Sequence, residues 1–519
     1  MMFSPGIRVF RAMMAAALTA LAVTSPAAAE VRPAGVFGSH MVLQAESEVP
    51  VWGWADAQEE VTVRIAGQEV RTRAGGDGRW MVKLAPMPAG GPHRLEIVAG
   101  DTLALEDVLI GEVWLCSGQS NMEWGIKVSA DPEKEIAAAD HPRIRLLSVP
   151  HRTARRPEPD IDARWAVCTP EGILSVGHWN AGFSAVAYHF GRRLQEELDV
   201  PVGLIQSTWG GTRIEPWTPP EGFQAVPALA GLLEPLKRAD EEFREAVGRA
   251  LTAHQQWLEE ARARYDAGKE AAPPPAWPRH PLDDNSCPTS LYNGMIHPLV
   301  PCAIRGAIWY QGESNRTDGM GYVEKKRALI GGWRQLWGRG DFPFYFVQLA
   351  PYRYGTEDPT ILPRMWEAQT RCLEIPNTGM AVTVDIGDPA DIHPRNKRDV
   401  GERLALWALA RTYGRKDLVF SGPLYRSASN EGGAIRIRFD HVGGGLISRD
   451  GGPLSWFEIA GTDRHFVPAE ALIDGDTVVV RANEVADPAA VRFSWHMEAR
   501  PNLCNREGLP ASPFRTDSW

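Results

Sequence analysis

What the chain lacks narrows its class first. Beyond the first 29 residues no stretch is long and apolar enough to cross a bilayer, so no helical membrane span is expected there. No long Lys/Arg run occurs and the formal net charge is -10, which argues against a nucleic-acid partner. None of the six cysteines forms a CxxC pair. No H-E-x-x-H or comparable cluster is present, so no metal or cofactor is expected. A G-x-S-x-G elbow is also missing, which removes the α/β-hydrolase lipase or peptidase reading. There is no internal repeat of fixed period. An ordinary 23% of charged residues with 44% hydrophobic ones excludes a disordered or collagen-like chain.

What is present begins with an export pattern. Arg8 and Arg11 precede the Ala/Leu-rich run Ala12 to Val23, and no acid occurs before Glu30. Ala27-Ala28-Ala29 supplies the small residues a signal peptidase needs, so residues 1–29 read as a secretory signal. An exported protein, periplasmic or extracellular, with no membrane span after cleavage is expected. Six cysteines in such a compartment allow 15 pairings, although in so long a chain they also serve as plain core residues. The 19 tryptophans suit either stacking on sugars or filling cores.

At roughly 150 residues per domain, 519 residues suggest about three units. Residues 30–110 carry short, mostly alternating runs such as Val49-Pro-Val-Trp-Gly-Trp54 and Trp80-Met-Val-Lys-Leu84, separated by Gly/Asp/Pro turns. That spacing predicts a β-sandwich-like module. From 111 to about 417 the pattern becomes strand–loop–helix. The apolar runs are Val113–Cys116, Val202–Ile205, Ala307–Tyr310, Phe344–Val347 and Met380–Val384, with helical segments at 184–198, 322–337, 362–373 and 395–413. Runs hydrophobic on both faces, alternating with helices, predict an α/β fold with a parallel sheet covered on each side. A charged stretch over about 230–270 reads as an inserted helix or helical hairpin, and 418–519 as a second β-rich module.

In such a sheet, ligands collect beyond the carboxyl ends of the strands. Ser117-Gly-Gln-Ser-Asn-Met122, Gln206-Ser-Thr-Trp-Gly-Gly-Thr-Arg213, Gln311-Gly-Glu-Ser-Asn315 and Asp391-Ile-His-Pro394 all follow apolar runs. Ser120 is the candidate nucleophile: Gly118 permits a tight turn, and a helix starting at Ser120 aims backbone N–H groups at a developing oxyanion. Capping that helix is the competing role for Ser120. His393 is the candidate base among 13 histidines, because Asp391 on the same loop can fix its tautomer. Asp388 and Asp385 remain rival orienting acids. Gly210 or Gly211 can bring backbone donors close, and Gln311 or Asn315 can add a side-chain amide. Arg213 can meet a substrate carboxylate or pair with Glu215. Glu313 and Glu123 read as hydrogen-bonding scaffolds, with Glu313 a candidate for substrate contact.

Those motifs, together with Leu291-Tyr-Asn-Gly-Met-Ile296 and Glu507-Gly-Leu-Pro-Ala-Ser-Pro-Phe514, resemble the sialate O-acetylesterase family, a branch of the SGNH (GDSL-like) hydrolases. The resemblance spans nearly all of the chain after residue 29. It implies a three-layer α/β core with appended β modules, and metal-free hydrolysis of acetyl esters on sugars. Sialic acids and plant cell-wall polysaccharides are both substrates of such a family. It implies Ser120 as nucleophile, Asp391 and His393 in the last block, and Gly210 or Gly211 with Gln311 to Asn315 around the oxyanion. The usual Asp-x-x-His and Gly-x-Asn-Asp are here Asp391-x-His393 and Gly312-Glu-Ser-Asn315. A non-catalytic glycan-binding protein is the alternative from another class.

Overall fold

The computed structural model describes residues 31–519. The expected signal over 1–29 lies outside the described residues. The central sheet is built from β1 (Asp101–Gly118), β2 (His141–Ser148), β3 (Trp165–Cys168), β4 (Val202–Thr208), β5 (Gly306–Tyr310), β6 (Phe344–Val347) and β7 (Thr378–Ala381). Their spatial order is β3-β2-β4-β1-β5-β6-β7. All neighbours run parallel except β3, which lies antiparallel on the edge.

Burial on both faces explains the continuous apolar runs. Every residue of β4, β5 and β6 is buried. The pleat sends alternate side chains to opposite layers. On one face Trp114 and Tyr345 meet α2 (Ala185–Leu198) and α6 (Arg398–Arg411) through Phe190 and Trp407. On the other, Trp309 and Phe344 meet Trp333 of α4 (Gly321–Trp337), which packs beside α5 (Ile361–Arg371). The result is a three-layer α/β sandwich. Ser184 caps α2, its hydroxyl accepting the Ala187 N–H at 3.1 Å. Helix α6 starts at Arg398 rather than the expected Arg395, because the Arg395 carbonyl is taken by the Ala130 and Lys397 N–H groups.

The expected boundary at 110/111 does not fall in a linker. β1 is one 18-residue strand. Its first half pairs with Gly90–Ala99 of the amino-terminal β module, and its second half with β4 and β5. That module packs a three-stranded sheet, holding Val49–Trp54 and Arg79–Leu84, against strands continuous with the central sheet. Its buried residues, from Val31 onward, belong to the same apolar cluster as the α/β core. Over 418–519 the strands, among them Ile435–Asp440, Thr477–Arg481 and Pro488–Phe493, enclose a separate cluster that includes Ile437, Val478 and Phe493. Arg449 reaches Asp385 at 3.0 Å, and Ser512 accepts from Gln348 at 2.9 Å, tying this module to the body. The charged insertion is one long exposed helix, α3 (Glu234–Asp266). None of the six cysteines is disulfide-bonded; all but the half-buried Cys287 are buried.

Trp114 is fully buried between Phe190 and Tyr345. Trp114→Ala should therefore cost about 3–5 kcal/mol and lower the thermal midpoint clearly. The half-exposed Trp277 should tolerate alanine within about 0.5 kcal/mol. Thermal melts of the two variants check the contrast.

Candidate active site

The site begins where β1 ends. Gly118 has φ of 140°, and a Cβ there would stand 2.2 Å from the Tyr310 carbonyl oxygen of β5. Only glycine fits that close strand–strand approach. The chain then bends: the Gln119 N–H bonds the same Tyr310 carbonyl at 3.0 Å, and the short helix α1 (Ser120–Glu123) follows. Ser120, half-buried at its first position, carries its hydroxyl at the rim of the sheet. An N–H in the first helical turn has no carbonyl partner within the helix, so it is available to a negatively charged oxygen.

The second half comes from the loop after β7. His393 Nε2 lies 2.9 Å from Ser120 Oγ, across 273 positions of sequence. The loop is pinned on both sides of this contact: Asn121 Nδ2 donates to the Ile392 carbonyl at 3.0 Å, and the Ala130 N–H to the Arg395 carbonyl at 2.8 Å. Trp124 stacks on the imidazole at 4.6 Å with the rings 17° apart, fixing its plane.

Of the rival acids, Asp385 is committed elsewhere, since Arg403 holds both of its oxygens at 2.7 Å and Arg449 adds a third bond. Asp388 accepts the Ala390 N–H at 2.9 Å. Asp391 Oδ1 accepts the His393 backbone N–H at 2.9 Å, and its charge favours the imidazolium. Burial first, and the Lys397 ammonium second, outweigh that effect and push the His393 pKa below its ordinary value. A neutral imidazole can accept the hydroxyl proton.

Beneath the pair runs a buried polar chain. Lys397 Nζ donates to Asn121 Oδ1 at 2.5 Å, and Asn121 Nδ2 donates to Glu313 Oε1 at 2.5 Å. Burial pushes Lys397 down to about 7 and raises Glu313 above the usual carboxylate range. Glu313 thus sits under α1, bonded to Asn121, rather than reaching outward to a substrate as the sequence suggested. Its raised pKa favours the uncharged form.

The side-chain amides expected at an oxyanion are spent. Gln311 Nε2 gives its hydrogens to the Thr212 carbonyl at 3.2 Å and Asn315 Oδ1 at 2.7 Å. Asn315 Nδ2 donates to Glu215 at 3.0 Å and Asp318 at 2.7 Å. Both residues are fully buried and brace the loops after β4 and β5. Arg213 is likewise engaged, by Glu215 at 3.1 Å, Asp318 at 3.0 Å and the Ser314 carbonyl at 2.8 Å, so no free guanidinium is left for a substrate carboxylate. Although desolvation opposes it, hydrogen bonds from Asn315, Lys325 and Arg213 hold Glu215 at about 2.

Of the glycine pair after β4, Gly210 lies against the nucleophile. A Cβ on Gly210 would stand 3.3 Å from Ser120 Cβ. The Gly210 N–H, however, bonds Glu123 Oε2 at 2.7 Å. Gly211 has φ of 76°, an open surface around its α-carbon, and a carbonyl held by Ser314 Oγ at 2.9 Å.

Sequence reasoning misses the ring cluster behind Glu123. His151 Nε2 lies 2.6 Å from Glu123 Oε1, and its ring is sandwiched between Trp209 at 4.3 Å and His178 at 4.0 Å. His151 follows β2, whose internal Arg143 and Arg145 disguise it as a surface segment. Glu123, His151 and His178 place ligand-type atoms within 4.8 Å of one another, a cluster the sequence did not suggest. The two imidazoles lie face to face, only 16° from parallel, so their in-plane lone pairs do not meet at one point. This geometry is a hydrogen-bonded stack rather than a metal cage.

The placement of Lys397 against His393 is testable. Lys397→Met removes a cation that disfavours the imidazolium, so the His393 pKa should rise. An NMR titration of the ring Cε1–H resonance should shift to higher pH, and an unmoved titration would contradict the contact.

A sequence profile described as "Carbohydrate esterase, sialic acid-specific acetylesterase" matches residues 110–261 and 276–410. The chain is 35% identical over 430 residues to the sialate O-acetylesterase of Rattus norvegicus, covering 76% of each protein. It is 32% identical over 512 residues to the Mus musculus protein of the same name, covering 89% of each. A crystal structure of a carbohydrate acetylesterase from Xanthomonas citri superposes with a TM-score of 0.79 at 36% identity, covering 94% of this chain and all of that one. With the profile spanning more than half the chain and these relatives matching most of their own length, the protein belongs to the sialic acid-specific acetylesterase family of carbohydrate esterases.

Proposed function

We propose that this protein is an exported serine esterase that removes O-acetyl groups from carbohydrates through an acetyl-enzyme. The observation that carries the reading is the 2.9 Å contact between Ser120 Oγ and His393 Nε2 on the sheet rim. A pure glycan binder has no need of such a pair.

In this reaction His393 Nε2 takes the Ser120 proton as Oγ attacks the acetyl carbonyl carbon. The tetrahedral oxyanion sits before the Ser120 and Gly211 N–H groups, since the Gly210 N–H is held by Glu123 and the Gln311 and Asn315 amides are occupied. The imidazolium returns its proton to the departing sugar oxygen, leaving acetyl-Ser120. Water, deprotonated by His393, then attacks that ester and releases acetate. Asp391 supports the imidazolium through its charge and holds the His393 backbone, so it is the orienting acid in preference to Asp385 and Asp388. The uncharged tendency of Glu313 suits this account, because a carboxylate charge under α1 would oppose an oxyanion.

Sialate esters are the substrate named for the relatives, and cell-wall acetyl esters are the other class this site can serve. Export rests on the sequence of residues 1–29. The division into a signal, an amino-terminal β module (30–110), a catalytic body (111–417) and a carboxyl-terminal β module (418–519) is proposed on the same footing, with β1 shared between the first two folded parts.

Ser120→Ala should lower acetate release from 4-nitrophenyl acetate by at least about a thousandfold, with circular dichroism and melting unchanged. Retained turnover would contradict the assignment.

A further inference from the structure

Trp179 is out of place for its residue type. Its indole is 74% exposed, although tryptophan is among the largest apolar side chains. Its backbone has φ of 57° and that of Asn180 has φ of 55°, so two consecutive non-glycine residues occupy the left-handed region. Such conformations are unfavourable for residues with a Cβ and persist only where neighbouring structure imposes them. Here the imposing contacts are visible: Lys127 Nζ donates to the Asn180 carbonyl at 3.1 Å, and the Lys127 N–H to the Ala181 carbonyl at 3.0 Å. The loop is held in a form that presents an indole to solvent.

The place where it is presented matters. The Trp179 ring stands edge-on to His151 with centroids 6.0 Å apart, and His151 Nε2 bonds the Glu123 carboxylate at 2.6 Å. That same carboxylate, 2% exposed, takes His151 Nε2 and the N–H of Gly210, whose α-carbon lies against Ser120. One buried acid therefore couples the exposed indole to the loop beside the nucleophile. Although burial opposes it, the hydrogen bond from His151 holds Glu123 below its ordinary pKa, so it stays charged as an acceptor. His151 and His178 line a cleft of about 580 Å³ together with Ser148, Asp162, Arg164 and Ser175. Those groups can bond hydroxyls.

A flat, exposed aromatic face joined through His151, Glu123 and Gly210 to the loop beside the nucleophile, near hydroxyl-bonding groups, matches a sugar ring, which offers an apolar C–H face and a polar rim. We infer that Trp179 is the platform on which the ring of the acetylated carbohydrate stacks, orienting its ester toward Ser120. This rests on the esterase reading above and names a residue that selects carbohydrate esters over simple ones.

Kinetics of Trp179→Ala and Trp179→Phe on three esters test it: 9-O-acetyl-N-acetylneuraminic acid, acetylated xylo-oligosaccharide, and ethyl acetate, which has no ring to stack. On whichever saccharide the wild-type protein hydrolyses faster, Trp179→Ala should raise KM at least tenfold while kcat changes less than threefold. The loss in kcat/KM should exceed that on ethyl acetate by tenfold, and the flat ring of Trp179→Phe should recover most of it. Equal losses on all three esters would make Trp179 a mere support for Glu123 and overturn the inference. An unchanged saccharide KM would overturn it as well. A wild-type protein that cleaves ethyl acetate but neither saccharide would overturn the carbohydrate reading itself, and the platform with it.

Discussion

A hydroxyl and an imidazole 273 positions apart meet at 2.9 Å, and the rest of the architecture can be understood as what that meeting requires. Ser120 is placed by the end of β1, the middle strand of the parallel sheet; His393 comes from the loop after β7, at the sheet edge. For the two to meet, the loop must return across the ends of β5 and β6. It is drawn back by bonds to residues just after the nucleophile: Asn121 to the Ile392 carbonyl, and Ala130 to the Arg395 carbonyl. Asp385, the first residue of the loop with a charge, anchors it to Arg403 of α6 and to Arg449 of the last module. Thus the carboxyl-terminal β module helps fix the loop that bears the proposed base.

The electrostatics under the site follow from burial. Lys397 and Glu313 are charged residue types placed in a nearly dry layer, linked through Asn121. Desolvation drives both toward their neutral forms, Lys397 downward and Glu313 upward. What remains of the Lys397 charge acts on His393 and keeps it a neutral acceptor. A second buried acid, Glu123, does the opposite: enough donors surround it to keep it ionised. It uses that charge to hold the glycine loop and the ring cluster rather than to face the ester.

Much of this was legible in the sequence, for identifiable reasons. The apolar runs of β1, β4, β5 and β6 are continuous because both faces are covered, and the motifs at their ends converge because parallel strands share one carboxyl rim. That rule singles out Ser120, Gly210 or Gly211, and His393 as candidates, with Asp391 beside its rivals Asp388 and Asp385. Three things do not. The β1 strand crosses the boundary that composition suggests at 110, since a change from alternating to continuous burial need not break a strand. The donor capacity of Gln311 is consumed by the Thr212 carbonyl and Asn315, and that of Asn315 by Glu215 and Asp318, which joins the loops after β4 and β5 in a way no local pattern announces. The ring cluster of His151, His178, Trp179 and Trp209 is assembled from three separate loops, and nothing in the local pattern joins them.

The central claim is that Ser120 is a nucleophile activated by His393. Intact-mass analysis and peptide mapping after reaction with an active-site organophosphonate address it most directly. The account predicts a single adduct on Ser120, formed at least about a hundredfold more slowly in His393→Ala. An adduct on another residue, or one formed on Ser120 at an undiminished rate without the imidazole, would contradict it.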